Sequence, residues 1–143
     1  FRTRSSPFYK ELMRASKDYL ETEHYIFVHG WIPCQVQRVT STYRIYEPMP
    51  DWREADGDAW LDARWTNGME ASYKGIKEPD KTIVCGHWHT SFGHALYEGK
   101  GSLFGEDADY SPYFAEGIIA LDACTARSQK INCIIIEDEE MIK

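Results

Sequence analysis

The spacing of apolar and polar positions changes several times along this chain, and each change marks an element. Residues 7–22, PFYKELMRASKDYLET, set Phe8, Leu12, Met13, Ala15, Tyr19 and Leu20 on an approximate helical stripe. Pro7 suits a first helical turn and Ser6 a cap before it, so an amphipathic helix is predicted over 7–22. Residues 25–29 form a short apolar run, read as a buried strand. The tract 34–46 alternates, as an edge strand or an extended loop does. Residues 51–75 are rich in Trp, Ala, Asp and Arg, and predict a helix over 57–74 with Gly68 as its weak point. A turn at 78–81 leads into a strand at 82–86.

Beyond it, residues 91–116 are broken by Gly93, Gly99, Gly101, Gly105 and Pro112 and read as a long functional loop. Two apolar runs, 117–123 and 130–137, flank a polar turn near Arg127, Ser128 and Gln129, which predicts a hairpin. The polar end, EDEEMIK, is expected to fray. The pattern reads as one domain over 1–143 of α/β or α+β class, with the strands of the second half in one sheet.

Composition narrows the function. With 143 residues, 43% hydrophobic and 27% charged, the chain has an ordinary globular composition. Its net charge of −7 argues against non-specific binding to nucleic acid or to an anionic membrane, both of which need a basic surface. A phosphate-bearing substrate stays open, because metal ions supply positive charge locally. The four cysteines, Cys34, Cys85, Cys124 and Cys133, form no CxxC pair, which points to a reducing compartment and a cytoplasmic protein. No apolar run reaches the ~18 residues that span a bilayer. The first residue is Phe1 rather than Met, within a polar segment, which reads as a piece of a longer protein or a processed one.

The chemistry concentrates where apolar runs end. TIVCGHWHTSFGHA, residues 82–95, runs from a strand into Gly86, His87 and His89. Side chains two apart on extended chain point to the same side, so His87 and His89 can face one spot while Trp88 points away. YIFVHG, residues 25–30, repeats the arrangement with His29 before Gly30. Ligands of α/β folds gather beyond strand ends, and three imidazoles there could converge on a divalent metal. Each histidine taken alone reads first as a hydrogen-bonded structural residue, and it is the HxH pair with the second strand-His-Gly unit that favours a metal.

VCGHWHT resembles the GHxH signature of the calcineurin-like metallophosphoesterases, a superfamily that includes bacterial serine/threonine protein phosphatases. FVHG resembles the isolated-histidine motif that precedes it, and GIIALDACTARSQKINCIIIED resembles the hairpin that follows it. The order and spacing agree over about residues 25–137. The resemblance implies a β-sandwich flanked by helices, with two divalent metals (Mn, Fe or Zn) at strand ends. It implies that His29 and His87 bind one metal and His89 the other, and that phosphomonoesters or phosphoproteins are hydrolysed by metal-bound hydroxide. A nucleotide or dinucleoside polyphosphate hydrolase is the alternative substrate reading, and a non-catalytic binding or assembly module derived from a phosphatase half is the alternative class.

The family's upstream motifs, DxH, GDxxD and GNH(D/E), are missing, and no Asp-x-His occurs anywhere. The resemblance therefore covers the C-terminal half of such a domain. Three neutral imidazoles do not offset two dications, so the chain alone is expected to be inactive. It is expected to associate with the N-terminal half of the same domain or with another copy of itself.

Other residues carry weaker signals. Arg64 resembles a substrate-phosphate arginine of some phosphatases, against a surface arginine paired with an acid. His94 lines the site mouth or sits in a loop without a metal role. His24 reads as a surface residue at a helix end, and Asp122 as a structural aspartate orienting a loop or a ligand histidine. Glu106, Asp107 and Asp109 form a solvated acidic loop or an extra cation site. Trp52, Trp60 and Trp65 build a lid or core rather than a base-stacking platform.

Overall fold

The computed structural model describes residues 7–41 and 43–138. The predicted cap Ser6 and the end of the polar tail, 139–143, lie outside them. The elements in chain order are α1 (Pro7–Ala15), β1 (Tyr19–Glu21), β2 (Tyr25–Val28), β3 (Cys34–Arg38), β4 (Arg44–Pro48), a 3-10 turn (Trp52–Glu54), α2 (Gly57–Trp65), α3 (Gly68–Tyr73), β5 (Thr82–Cys85), α4 (Ser91–Tyr97), β6 (Tyr113–Ala115), β7 (Ile118–Ala120) and α5 (Thr125–Ser128). This is a mixed α/β arrangement. A five-stranded sheet runs β1-β2-β5-β7-β6, and β3 and β4 form a separate antiparallel pair. The central strands β2, β5 and β7 are parallel, and antiparallel β1 and β6 close the two edges.

The two faces of the sheet differ. In register across the parallel strands stand Ile26, Ile83 and Ile118, each at most 1% exposed. They join Trp31, Met69, Ala71 and Ala120 in the core that α2, α3 and α4 cover. The other face carries a row through all five strands, Leu20–Phe27–Val84–Ile119–Phe114. Its middle member is buried, but Leu20 is 38% and Phe114 56% exposed.

Close backbone approach fixes where α2 sits. A Cβ at Gly30 would lie 2.5 Å from the carbonyl oxygens of both Ala63 and Arg64, so only glycine lets the last turn of α2 rest on the loop after β2. Trp31 N–H donates to the Ala63 carbonyl at 2.9 Å in the same contact.

Several expectations need correction. The helix over 7–22 stops at Ala15, because Tyr19 and Leu20 pair with Val28 and Phe27 as a sheet edge. The helix over 57–74 is two helices. Thr66 and Asn67 adopt extended backbone, and the Asn67 side chain accepts from the N–H groups of Met69 and Glu70 to start α3 afresh. The tract 34–46 is a hairpin of two strands reaching Pro48. The loop over 91–116 contains α4 and β6. The hairpin between 117–123 and 130–137 is absent: β7 pairs with β6 and β5, while 129–138 belong to no helix or strand and α5 occupies the predicted turn.

Candidate functional site

Parallel pairing brings two histidines together. β2 and β5 run side by side and end level with each other, and Gly86 N–H donates to the His29 carbonyl at 2.9 Å. The side chains emerging there, His29 and His87, stand with Nε2 and Nδ1 3.2 Å apart and ring centroids 4.9 Å apart. The Trp65 ring, at the end of α2, meets His87 edge-on at 5.0 Å.

The backbone at His87 is strained. Its φ is +63°, the left-handed region that side chains other than Gly, Asn and Asp rarely enter. Trp88 N–H folds back onto the Gly86 carbonyl at 2.7 Å, closing a positive-φ γ-turn around His87. The strain has a visible result, since it turns the imidazole toward His29 instead of continuing β5. Burial lowers the His87 pKa, and His29 adds to the effect, while Asp122 opposes it. Both influences favour the neutral ring, the form that ligates metal.

His89 is held elsewhere. Its Nδ1 lies 2.7 Å from Ser91 Oγ, and Ser91 donates its one hydroxyl proton to the Leu103 carbonyl at 2.7 Å. Ser91 can then only accept from His89, so Nδ1 carries the proton and Nε2 keeps its lone pair. The ring packs on Phe104 at 4.5 Å, and Arg127 covers the Phe104 ring at 4.8 Å. Burial lowers the His89 pKa, with Asp122 opposing and Arg127 assisting. The expected convergence of three imidazoles is thus met by two. Among the described residues, His29, His87 and His89 do not bring three ligand atoms within 4.8 Å of one another. The γ-turn breaks the extended geometry on which the expectation for His87 and His89 rested.

The remaining candidates sort plainly. Arg64 forms an ion pair with Asp18 and lines a cavity of about 430 Å³ beside His29. Asp122 acts on both His87 and His89, and its Oδ1 accepts from Cys124 N–H at 2.7 Å. His94 is no loop residue: it is buried on α4 with Nδ1 3.0 Å from Glu98 and Nε2 3.1 Å from the Ser111 carbonyl. Glu106, Asp107 and Asp109 do not cluster as ligands among the described residues. Trp52 and Trp60 belong to the core, whereas Trp65 is 66% exposed.

Sequence reasoning missed one cluster. Glu23, His24 and Asp138 bring ligand atoms within 4.8 Å at the opposite end of β2. The Asp138 carboxylate accepts from the Thr22 hydroxyl, from His24 N–H at 3.1 Å and from the His24 ring at 2.7 Å. His24 adjoins an apolar run on its N-terminal side, a signal that could have flagged it, but Asp138 lies over a hundred residues away. The histidine is in a strand-to-strand turn, not at a helix end.

Comparison with family models, curated proteins and solved structures finds no match. Among the described residues no helix is long and apolar enough to cross a membrane.

Proposed function

We propose that this chain supplies part of the centre of a metal-dependent phosphoesterase acting on phosphomonoesters or phosphoproteins. The observation that carries the reading is the 3.2 Å separation of His29 Nε2 and His87 Nδ1. Two metal–nitrogen bonds of about 2.0–2.1 Å at an angle of 90–110° hold their nitrogens roughly 2.9–3.4 Å apart. The pair therefore fits adjacent ligands of one cation, and the nitrogen donors suit Mn, Fe or Zn. Strain stored at His87 and aimed at this geometry agrees with a functional position.

A bound dication would supply Lewis-acid polarisation and a water of lowered pKa. The chain's own residues would do the rest. His29 and His87 hold the ion, and burial favours the neutral, ligating form of His87. His89, its tautomer set by Ser91, keeps Nε2 free for a second ion. Arg64 shares a cavity with His29 and is placed to receive phosphoryl oxygens on exchanging Asp18 for them.

Two neutral rings and the nearby carboxylate of Asp122 leave a dication's charge incompletely compensated, so further carboxylate ligands are required from an N-terminal half or a second copy. The half-exposed row Leu20–Phe27–Val84–Ile119–Phe114 supports this, since parallel sheets are covered on both faces. The same row favours a second reading, a non-catalytic assembly module.

Manganese and zinc titrations of the chain test the metal reading. Each of His29→Ala and His87→Ala should weaken binding about 10- to 100-fold, and His24→Ala should leave it unchanged. Affinity indifferent to His29 and His87 would sink the proposal. Phosphatase turnover at an ordinary enzymatic rate by the chain alone would overturn its incompleteness.

A further inference from the structure

Beside Trp65 lies a cavity of about 250 Å³ between the β3–β4 hairpin and the start of α3, and neither His29 nor His87 lines it. Its walls include Arg44, Asp62, Trp65, Asn67, Glu70 and Trp88. Trp65 is shared: its ring meets His87 edge-on, and the residue also lines the cavity. Trp88, which follows His87 directly, forms a second wall.

The charges of this cavity favour a cation. Arg44 is already engaged by Glu70 at 3.0 Å. Asp62 is exposed and has no ion-pair partner among the described residues. A negative charge beside two indole rings is the combination that receives an ammonium or guanidinium group. One more group is unspent. Asn67 is 4% exposed and caps α3 through Oδ1, which accepts from Met69 N–H at 3.1 Å and Glu70 N–H at 3.2 Å. This fixes the orientation of the amide and leaves Nδ2 buried without a partner among the described residues. A buried donor without an acceptor is costly, and this one sits in a residue that lines the cavity wall.

Size decides between ligand classes. Drug-sized ligands occupy roughly 300–1,000 Å³, so this cavity of about 250 Å³ holds a side chain rather than a nucleoside. The extra phosphates of a nucleotide would also meet Asp62 with no unpaired cation opposite. Resting on the phosphoesterase reading above, we propose that this cavity seats the peptide flanking the phosphorylated residue and selects a basic side chain there. The substrate class is thereby phosphoprotein with a neighbouring Arg or Lys, not nucleotide.

The test is a chemical-shift titration of the chain with two capped, unphosphorylated peptides that differ only in Arg against Glu, followed at the indole N–H signals of Trp65 and Trp88. The Arg peptide should bind about tenfold tighter at low salt, with the preference shrinking as salt rises. Asp62→Asn should remove most of it, and Trp65→Leu should weaken the Arg peptide; both positions are exposed, so both variants should fold. Equal binding of the two peptides, no binding of either, a preference that survives both variants, or displacement of the Arg peptide by ADP would overturn the proposal. Manganese titration of the same samples separates the two readings. Asp62→Asn should leave metal affinity intact, and a chain that binds no metal yet still selects the Arg peptide would refute the phosphoesterase reading alone.

Discussion

β2 carries a histidine just outside each of its ends, and the two ends show opposite physics. At the start, His24 joins Glu23 and Asp138 in a cluster with the composition of a metal site. Every strong interaction there is already made within the protein: Asp138 accepts from the Thr22 hydroxyl, from the His24 backbone and from its ring. At the far end, His29 and His87 have fewer ligand-type neighbours, yet their nitrogens face each other across 3.2 Å with a strained backbone holding one of them. A count of ligand-type side chains ranks the near end first, whereas the proposed centre rests on the far one. The far end holds one hydrogen bond between two rings and a strained backbone, where the near end is tethered by a carboxylate with three donors.

The largest effect should come from the strand that supports both ends. Ile83 is fully buried between Ile26 and Ile118. Ile83→Ala should cost about 2–5 kcal/mol, measured by denaturant unfolding, and should loosen both ends together. Phe114→Ala, on the half-open face, should cost much less. Equal losses would show that the two faces are equally packed and would remove the argument for a covering layer.

The ends themselves should respond with opposite signs. His87→Gly relieves the left-handed penalty and should raise stability by up to about 1–2 kcal/mol, less the flexibility that glycine adds to the unfolded chain, while weakening metal binding about 10- to 100-fold, as His87→Ala should. Thr22→Val keeps the shape but removes the hydroxyl donor to Asp138 and should lower stability by about 1 kcal/mol. A stabilised Thr22→Val with a destabilised His87→Gly would reverse the assignment of tether and site. Thermal melts of the two variants decide it.

How far these differences were legible in the sequence follows from their range. His29–Gly30 and Gly86–His87 were readable because each follows an apolar run, and parallel neighbours bring such ends together. The division of 57–74 was half visible in Gly68; the cause is the Asn67 cap, a local signal that the residue type alone could have supplied. Helix α4 was hidden by Gly93, which reads as a breaker. Its glycine is required by packing instead, since a Cβ there would come within 2.7 Å of Met69 and Tyr113. The apolar run 130–137 reads as a strand by composition, but strand formation depends on partners, and none pairs with it among the described residues. Tyr19 and Leu20 show the converse, because their pairing with β2 overrides a helical period. The turn at His87 had no sequence signal; Asn or Gly would have announced it, and histidine does not.

The smallest predicted effect is local and reads the tether alone. The Asp138 carboxyl is held well below the ordinary carboxylate pKa by the Thr22 hydroxyl first and by the His24 ring and N–H next. A carboxyl with a depressed folded-state pKa stabilises the fold above its unfolded value near ~3.9 and loses that contribution as pH falls toward the folded value. The grip of residue 138 on the Thr22–His24 turn should therefore be complete at neutral pH and weaken progressively below about pH 4. Amide exchange at His24, whose N–H donates to Asp138 at 3.1 Å, should accelerate over that range, after correction for the intrinsic pH dependence. In Asp138→Asn the acceleration should vanish, since no proton is taken up there. Exchange at Gly86, bonded to the His29 carbonyl at the other end of β2, should not follow the same curve. A shared curve at the two amides would mean that the ends of the strand open as one unit, and the contrast between them would be lost.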